Sequence, residues 1–199
     1  MQLINPTQFE LKLPNAELHY IPDFYQTLEA DVLFQKLLNE TNWQKDNITI
    51  FGKTYEQPRL TALHAKNNNS YTYSGITMKP KLLTFDLTEI SNKVEKVSNH
   101  KFTSVLLNLY RDGNDSNGWH ADNEKELGNN PIIASLSLGA ERYFHFKHRQ
   151  QKELTYKLLL KHGSLLIMKG EMQHFWLHQI PKTKQHIGRR INMTFRTIN

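Results

Sequence analysis

The sequence predicts an α+β fold in which N-terminal helices pack on the outside of a jelly-roll β core. Helical periodicity occurs only in the first half of the 199 residues. From Lys101 onward the pattern changes to short apolar runs separated by glycines, which is typical of β-sandwiches and barrels. No linker-like or repetitive stretch divides the chain, so we expect one domain over residues 1–199, with a helical region at 1–100 and the β core at 101–199.

Two segments have the apolar spacing of amphipathic helices. Residues 25–39 follow Pro22 and Asp23, which can cap a helix, and place five apolar residues on one broad face: Leu28, Val32, Leu33, Leu37 and Leu38. The second helix is clearer because its apolar residues recur every three or four positions, at Leu83, Leu87, Ile90, Val94 and Val97. Each helix is therefore expected to cover the β core with one face.

Seven segments of the second half are predicted to be strands, at residues 102–110, 132–138, 142–147, 152–160, 164–168, 173–178 and 190–197. The last of them alternates strictly. A strand sends successive side chains to opposite faces, so one face is apolar and the other carries Arg190, Asn192, Thr194 and Arg196. On a solvent-exposed edge such a face would be ordinary, but inside a barrel it would be an anion site.

Charge and composition narrow the class of protein. Lys and Arg number 25 against 19 Asp and Glu, and the net charge of +6 favours an anionic partner. The absence of cysteine excludes a disulfide framework, a thiolate nucleophile, iron–sulfur clusters and cysteine zinc sites. No apolar run approaches the roughly 18 residues of a membrane span, and the first residues lack the order of a signal peptide. We expect an intracellular protein, cytoplasmic or nuclear.

A metal site is indicated by three residues. His120 and Asp122 are two positions apart, so in extended backbone both side chains point the same way. His178 lies 58 residues further on, after an apolar stretch. Two imidazoles and one carboxylate on one side of a metal leave three positions open, which is the facial triad of non-haem Fe(II) oxygenases. Alone, a His-x-Asp pair is weak evidence, because a lone histidine is more often a structural residue.

The downstream arginines strengthen this interpretation. Arg190 follows His178 by 12 residues. A dicarboxylic co-substrate that chelates iron at one end needs a buried cation for its far carboxylate, and a guanidinium can bind it in a bidentate manner. Asn108 and Tyr110 share one face of an earlier strand and could add neutral hydrogen-bond donors to the same ligand.

These motifs, taken together and in order, resemble the AlkB family of Fe(II)- and 2-oxoglutarate-dependent dioxygenases, and most closely its nucleic-acid repair demethylases. The resemblance covers about residues 48–199 and is carried by Asn108-Leu-Tyr110-Arg-Asp-Gly, His120-x-Asp122-x-Glu124, Pro131-Ile-Ile-Ala-Ser-Leu-Ser-Leu-Gly139, His162-Gly-Ser-Leu-Leu166 and Arg190-x-Asn192-x-Thr194-x-Arg196. Residues 1–47 contribute little to it.

The resemblance implies a role for each matching residue. His120, Asp122 and His178 would bind Fe(II). The 2-oxoglutarate carboxylates would be held by the two arginines of the last strand, with hydrogen bonds from its polar face and from the earlier strand: Asn108, Tyr110, Arg190, Asn192, Thr194 and Arg196. The implied fold is a double-stranded β-helix. The implied reaction uses O₂, converts 2-oxoglutarate to succinate and CO₂, and hydroxylates an N-methyl group that is then lost as formaldehyde.

Two further segments resemble the substrate-contacting parts of this family, which would make residues 1–100 a recognition region. Phe51, Gly52 and Lys53 resemble the finger loop of members that flip bases out of duplex DNA, and the residues Tyr71, Thr72 and Tyr73 resemble the base-contacting segment. Asn123 departs from the family pattern, where an acidic residue lies near the flipped base, whereas Glu124 is retained. Without the family context, the favoured interpretation would be a hairpin tip with Phe51 folded into the core and a half-buried strand for the tyrosines.

The function expected from the sequence is therefore direct-reversal repair of alkylated DNA, with bases such as N1-methyladenine and N3-methylcytosine as substrates and a monomeric enzyme that flips its base from duplex DNA. Two alternatives remain open: the same iron chemistry on RNA or protein, or a cupin-like binding module without oxygenase activity. A zinc hydrolase would leave the polar face of the last strand unexplained. The basic residues Lys182, Lys184 and Arg189 are either phosphate contacts or a solvated loop.

Overall fold

A computed structural model describes the backbone of residues 1–50, 53–66, 71–73 and 76–198, and the side chains of residues 1–47, 55–66 and 79–198. In chain order the strands are β1 (Gln2–Ile4), β2 (Phe9–Leu13), β3 (Ala16–Ile21), β4 (Asn47–Ile50), β5 (Lys53–Glu56), β6 (Leu60–Ala65), β7 (Tyr71–Tyr73), β8 (Ile76–Met78), β9 (Lys81–Leu82), β10 (Ser104–Tyr110), β11 (Asn117–His120), β12 (Ile133–Gly139), β13 (Arg142–His148), β14 (Thr155–Leu160), β15 (Leu165–Lys169), β16 (Trp176–Ile180) and β17 (Arg190–Arg196). The helices are α1 (Thr27–Glu40), α2 (Phe85–Ser98) and the single turn α3 (Met172–Phe175), with a 3₁₀ turn at Lys125–Leu127.

The strands of the described residues form two large sheets. The five-stranded sheet has the order β1-β14-β13-β16-β11, and the eight-stranded sheet has the order β2-β3-β15-β12-β17-β10-β6-β9. Both are mostly antiparallel, and β4–β5 and β7–β8 form separate hairpins. This is the predicted jelly-roll core: β17, with its alternating face, lies between β12 and β10 near the middle of the larger sheet.

Two apolar clusters divide the molecule into three layers. One cluster lies between the sheets and combines residues of the smaller sheet, such as Phe146 and Leu158, with residues of the larger one, such as Leu106 and Leu166. The other cluster lies between the outer side of the larger sheet and the helices, where Ile191, Met193 and Phe195 of β17 meet α1 and α2. The apolar side of β17 therefore packs under the helices, and its polar side faces the space between the sheets.

The two long helices differ in how well their apolar patterns predicted their buried faces. In α2, Leu87, Ile90 and Val94 are buried as expected, and the Thr84 side chain accepts the N–H of Leu87 as the N-cap. In α1, Leu28 is 81% and Val32 is 68% exposed, so their assignment to the core face was wrong. The buried face of α1 is centred on Ala30 and Leu37, because a helix that lies on a sheet buries a narrower stripe than five scattered apolar residues cover.

Two other expectations about local structure are corrected. Residues 172–175 form α3 rather than the start of a strand, and β16 begins only at Trp176. The region 1–100 is also less helical than expected, because β1, β2, β3, β6 and β9 all join the large sheets. These strands have two to six residues, and a run that short leaves little periodicity to detect. No helix in the described part of the chain is long and apolar enough to cross a membrane.

Candidate active site

Three side chains converge in the space between the two sheets. His120 ends β11 and pairs directly with His178 of β16, while Asp122 follows two residues after the end of β11. The two imidazole rings are 4.2 Å apart between centroids. The nitrogen and carboxylate oxygen atoms that the three residues offer all lie within 4.8 Å of one another. Strand pairing thus brings together residues that are 58 positions apart, in an arrangement that can hold one metal ion.

Hydrogen bonds favour one tautomer of His120. Its Nδ1 lies 2.7 Å from the carbonyl oxygen of Gly118, and its Nε2 lies 3.1 Å from the amide nitrogen of Asn117. A proton on Nδ1 satisfies both contacts, because Nδ1 then donates to the carbonyl and Nε2 keeps its lone pair. Burial lowers the pKa of His120, although Asp122 acts against this. A neutral imidazole is the form that binds a metal, and a metal at Nε2 would take the place of the Asn117 contact.

Asp122 is held in its ionised form mainly by Arg196. Arg196 Nη2 donates to its Oδ1 at 2.7 Å, and its other oxygen lies 4.0 Å from His178 Nε2. Burial alone would raise the pKa of Asp122, but Arg196 and the two histidines outweigh burial and lower it to about 2. The backbone N–H of Asp122 donates to Gln173 Oε1 at 2.9 Å, and this fixes the loop that follows β11.

His178 is buried between the sheets against Phe144. Burial, reinforced by the neighbouring His120, lowers its pKa to about 3, so the ring is neutral at neutral pH. Its Nδ1 is buried and has no hydrogen-bond partner among the described residues. Two neutral imidazoles and one carboxylate are a donor set that suits a divalent transition metal such as Fe(II).

The opposite end of the same pocket carries a buried cation. Arg190 is 1% exposed and donates from Nη2 to Ser137 Oγ at 2.9 Å. Its Nε and Nη1 have no hydrogen-bond partner of good geometry in the described part of the chain, although the ring of Tyr110 lies 5.2 Å from Cζ. Burial, only partly opposed by Tyr110, lowers the pKa of Arg190 to about 10, so the guanidinium remains charged at neutral pH. A buried cation with unused donors fits the far carboxylate of a dicarboxylate ligand.

Every residue that was predicted for the oxoacid lines this pocket: Asn108, Tyr110, Arg190, Asn192, Thr194 and Arg196. The polar side chains also bind one another, since Asn192 Nδ2 donates to Ser135 Oγ at 2.7 Å and Thr194 Oγ1 donates to Asn192 Oδ1 at 3.1 Å. Because β17 runs through the pocket, Arg196 lies at the end with the three metal-binding candidates and Arg190 at the other end. Leu106, Phe144, Leu160 and Met168 complete an apolar wall.

The residues predicted to contact a base are placed less completely. Asn123 is exposed and Glu124 is partly buried, immediately after Asp122. Phe51 and Gly52 lie outside the described residues. Lys53 is the first residue of β5, and Tyr71, Thr72 and Tyr73 form β7 in the hairpin with β8, but their side chains are not among those described.

Sequence reasoning missed several buried polar residues of the site, among them Gln173 and Arg59. Gln173 lies on α3 and reaches the backbone of Asp122, 51 positions away. Arg59 precedes β6, is 3% exposed, and donates from Nε to Asn108 Oδ1 at 2.8 Å. No spacing pattern indicated either of them. The only available signal was that Arg59 follows Pro58 directly before an apolar strand, where a charged residue is rarely buried without a partner.

Comparison with known proteins gives one family match and several close relatives. The model of the 2OG-Fe(II) oxygenase superfamily matches residues 17–196. Alpha-ketoglutarate-dependent dioxygenase alkB homolog 3 of Bos taurus is 42% identical over 89% of this chain, and that of Homo sapiens is 41% identical over the same share. DNA oxidative demethylase ALKBH2 of Homo sapiens is 37% identical over 85% of this chain and 69% of its own length.

Two further comparisons concern the length of the relatives and the fold of a solved structure. The matched part is 64% of the length of the bovine and human homolog 3 proteins, so the chain spans slightly less than two thirds of them. A solved structure described as that of OsALKBH1 superposes with a TM-score of 0.64 over 94% of this chain and 99% of its own, at 18% sequence identity. At that identity the likeness supports the double-stranded β-helix fold and nothing further.

Proposed function

Because the chain belongs to the AlkB family of the 2OG-Fe(II) oxygenase superfamily, we propose that it is an Fe(II)- and 2-oxoglutarate-dependent dioxygenase that demethylates N-alkylated bases in DNA. The observation that carries this proposal is the pocket between the sheets. It has His120, Asp122 and His178 at one end and the buried, incompletely hydrogen-bonded Arg190 at the other. A metal site alone would suit many enzymes, but a metal site facing a buried guanidinium suits a metal-chelating oxoacid.

His120, Asp122 and His178 are the proposed Fe(II) ligands. Their donor atoms are already close together, the carboxylate is ionised and both imidazoles are neutral, so no proton has to leave before the metal binds. Arg196 holds one carboxylate oxygen, which restricts rotation of Asp122. When bound, the iron supplies a redox centre at which O₂ is reduced while 2-oxoglutarate is converted to succinate and CO₂.

The co-substrate is proposed to lie along the polar face of β17. Arg190 binds the far carboxylate through the donors that the protein leaves unused, and Tyr110 lies beside the same guanidinium. Asn108 and Asn192 border the ligand between the two arginines. Asn108 is oriented by Arg59, and Asn192 is oriented by Ser135. The apolar wall that includes Phe144 and Met168 excludes water from the bound oxoacid.

DNA is proposed as the polymer that carries the target base. The support is the net charge of +6 and the name DNA oxidative demethylase that the ALKBH2 relatives bear. N1-methyladenine and N3-methylcytosine are cationic, and Glu124 offers a carboxylate near the metal end of the pocket. Asn123 is neutral, so it can accept a hydrogen bond from an exocyclic amine without adding charge.

The enzyme is further proposed to flip its target base from duplex DNA and to act as a monomer inside the cell. Base flipping is needed because a methyl group in a stacked base cannot reach a buried metal. Phe51 and Lys53, by their resemblance to a finger loop, are the proposed wedge, and Tyr71 and Tyr73 the proposed stacking residues.

One assay tests the reaction and the polymer together. The protein is loaded anaerobically with Fe(II) and 2-oxoglutarate, exposed to O₂, and assayed for succinate and formaldehyde on methylated duplex DNA, single-stranded DNA and RNA. Formaldehyde release that depends on both Fe(II) and 2-oxoglutarate and is fastest on DNA is the expected result. Turnover fastest on RNA would replace the proposed substrate, and binding without any succinate would identify a cupin-like binding module instead.

The wedge is tested separately with Phe51→Ala. We expect this variant to lose activity on duplex DNA while it retains most activity on single strands, because only the duplex needs its stack to be filled. An equal loss on both substrates would remove the wedge role and leave the chemistry intact.

A further inference from the structure

The outer side of the five-stranded sheet is a surface that the candidate active site does not use. Along β13 and β14 the inward residues, such as Phe146 and Leu158, are buried in the core between the sheets. The outward residues alternate with them and face solvent. We call this outward surface the outer sheet face and define it by Trp119, Tyr143, His145, Lys147 and Lys157.

The strands of the five-stranded sheet carry no acidic residue. None of the five contains an Asp or a Glu, whereas Lys147 and Lys157 both point outward. Glu141, directly before β13, lines a surface pocket with Tyr143 and His145. The larger sheet differs, because its edge strand β2 and the adjacent β3 carry Glu10 and Glu17. The positive charge of the chain is therefore not spread evenly, and this sheet presents a surface that suits an anionic partner.

Two aromatic rings on this surface are paired with lysines. Trp119 is 36% exposed and has Lys147 Nζ 4.3 Å from its ring centroid, and Tyr143 is 40% exposed with Lys157 Nζ at 5.1 Å. His145 lies 6.4 Å from Tyr143 between ring centroids. Burial and Lys157 lower the pKa of His145, so this ring is neutral at neutral pH and can also stack.

Exposed rings beside cations match the chemistry of unpaired nucleotides. A base stacks on the ring while the adjacent lysine contacts the phosphate, and this mode of binding tolerates any sequence. An exposed lysine over an aromatic ring makes only a weak interaction, so a base can take its place on the ring face. Duplex DNA cannot use these rings, because its bases are already stacked on each other.

The outer sheet face is continuous with the candidate active site through the backbone. Trp119 directly precedes His120 on β11. His120 lines the pocket, whereas Trp119 is exposed and its ring lies beside Lys147 on the outer sheet face. A strand whose target base reaches the metal-binding residues can therefore continue across the edge of the sheet at β11 onto this surface.

We propose that, when the substrate is single-stranded DNA, the outer sheet face binds the unpaired nucleotides next to the target base. This inference rests on the proposed function, since it assigns a path to the flanking part of the same substrate. It adds affinity for single-stranded flanks that is separate from recognition of the alkylated base. The residues that provide it are Tyr143 and Lys157 on β13 and β14, together with Trp119 and Lys147 on β11 and β13.

Binding of unmethylated DNA tests this directly. Affinity is measured by fluorescence anisotropy for a labelled single strand of about 15 nucleotides and for a duplex of the same length. We expect Tyr143→Ala to weaken single-strand binding about tenfold and to leave duplex binding unchanged, and Tyr143→Phe to restore it, because the ring rather than the hydroxyl stacks. Phe85→Ala is the matched control. Phe85 is an aromatic residue that is 79% exposed, and it lies on α2, which packs on the larger sheet.

The salt dependence tests the role of the cation. We expect Lys157→Ala to reduce the slope of log affinity against log salt for the single strand by about 0.7, the value for one lost phosphate contact, while Lys12→Ala on β2 leaves the slope unchanged. An unchanged slope in Lys157→Ala, or equal losses on single strand and duplex in Tyr143→Ala, would overturn the proposal. So would a concentration-dependent dimer in sedimentation that Tyr143→Ala abolishes, because a second copy would then cover this surface.

Turnover separates this inference from the proposed function. With a methylated trinucleotide, Tyr143→Ala should match the unmodified protein, whereas with a methylated strand of about 15 nucleotides its KM should rise about tenfold. If Tyr143→Ala and the unmodified protein had equal KM values on the long strand, binding at the outer sheet face would be refuted, whereas the proposed demethylation would be unaffected. No formaldehyde from any oligonucleotide, with normal binding of the unmethylated strand, would refute the proposed function while the binding surface stands.

Discussion

Two of the buried carboxylates among the described residues, those of Glu95 and Asp122, are satisfied in different ways. Glu95 on α2 has a side chain that is only 3% exposed. Lys66 Nζ at 2.7 Å and the backbone N–H of Phe102 at 3.0 Å both donate to its Oε1, and Lys101 Nζ donates to its Oε2 at 2.9 Å. Burial would raise the pKa of Glu95, but these donors lower it to about 2.

Asp122 has a pKa lowered to the same value, but its surroundings are different. Its short ion pair is with Arg196 alone, and on the other side it faces two neutral imidazoles, with His178 Nε2 at 4.0 Å. Glu95 has donors on both oxygens, which join α2 to the neighbouring backbone. A carboxylate surrounded by donors is part of the scaffold, whereas one that faces lone pairs is prepared for a cation that the chain does not supply.

The largest expected effect follows from replacing the pocket carboxylate by its amide. Asp122→Asn keeps an oxygen for Arg196 but removes the negative charge that faces the histidines. We expect Fe(II) retention and formaldehyde release to fall below detection, and we expect the urea midpoint to fall as well, because Arg196 is left beside a neutral amide in a buried site. Metal content after gel filtration and a denaturation curve measure the two effects. Normal iron content with full turnover would contradict the assignment of the ligands.

A second large effect is expected at the far end of the pocket. Arg190→Lys keeps the charge but loses the planar pair of donors, so we expect the KM for 2-oxoglutarate to rise about 100-fold. Anaerobic Fe(II) binding without 2-oxoglutarate should not change, because Arg190 lies away from the triad. If iron binding fell in parallel with co-substrate affinity, the two ends of the pocket would not be separate sites.

The matched amide substitution in the scaffold should lower stability and leave turnover intact. Glu95→Gln places an amide NH₂ against a lysine, so we expect the free energy of unfolding to fall by about 2 to 3 kcal/mol. Turnover per folded molecule should remain normal, because Glu95 does not contact the pocket. Urea denaturation and kcat at a temperature well below the melting point are the two measurements. A loss of kcat without a loss of stability would reverse the distinction between the two carboxylates.

The pH dependence of the unfolding free energy tests whether the charge of Glu95 stabilises the fold. The pKa of Glu95 is lowered from 4.5 to about 2 in the folded protein, so its stabilising contribution is present above about pH 4.5 and is lost as the pH falls toward 2. The gap in unfolding free energy between the unmodified protein and Glu95→Gln should therefore be about 2 to 3 kcal/mol at pH 7 and should narrow toward pH 3. A gap that is constant between pH 7 and pH 3 would show that the charge of Glu95 is not responsible.

The smallest effect is expected at Gln173, which acts on Asp122 only through the backbone. Gln173→Leu leaves the N–H of Asp122 without its acceptor, and we expect affinity for Mn(II), used in place of Fe(II), to fall about tenfold. Gln173→Glu keeps an oxygen at the same position and should restore most of the affinity. Equal affinities in both variants and the unmodified protein would show that Gln173 only fills space.

The parts of the site that the sequence predicted are those governed by a short repeat. The alternation in β17 has a period of two, and it correctly separated Ile191, Met193 and Phe195 from the polar residues that line the pocket. His120 and Asp122 were found for the same reason, since residues two apart in extended chain share a face. The helical spacing in α1 was less informative, because Leu28 and Val32 have the right period but lie on the side that no other layer covers.

The amino-acid sequence by itself determined the strand content of the second half, the polar face of β17, and the residue types for an iron and oxoacid site. Only the tertiary structure decided that β11 and β16 pair with His120 opposite His178, that Gln173 reaches Asp122, and that Glu95 joins α2 to Lys66, Lys101 and the backbone of Phe102. The physical reason is the distance along the chain over which each kind of interaction acts. Alternation and helical periodicity arise from the geometry of a few adjacent residues, whereas a buried charge finds its partners through the packing of whole layers, which no local pattern records.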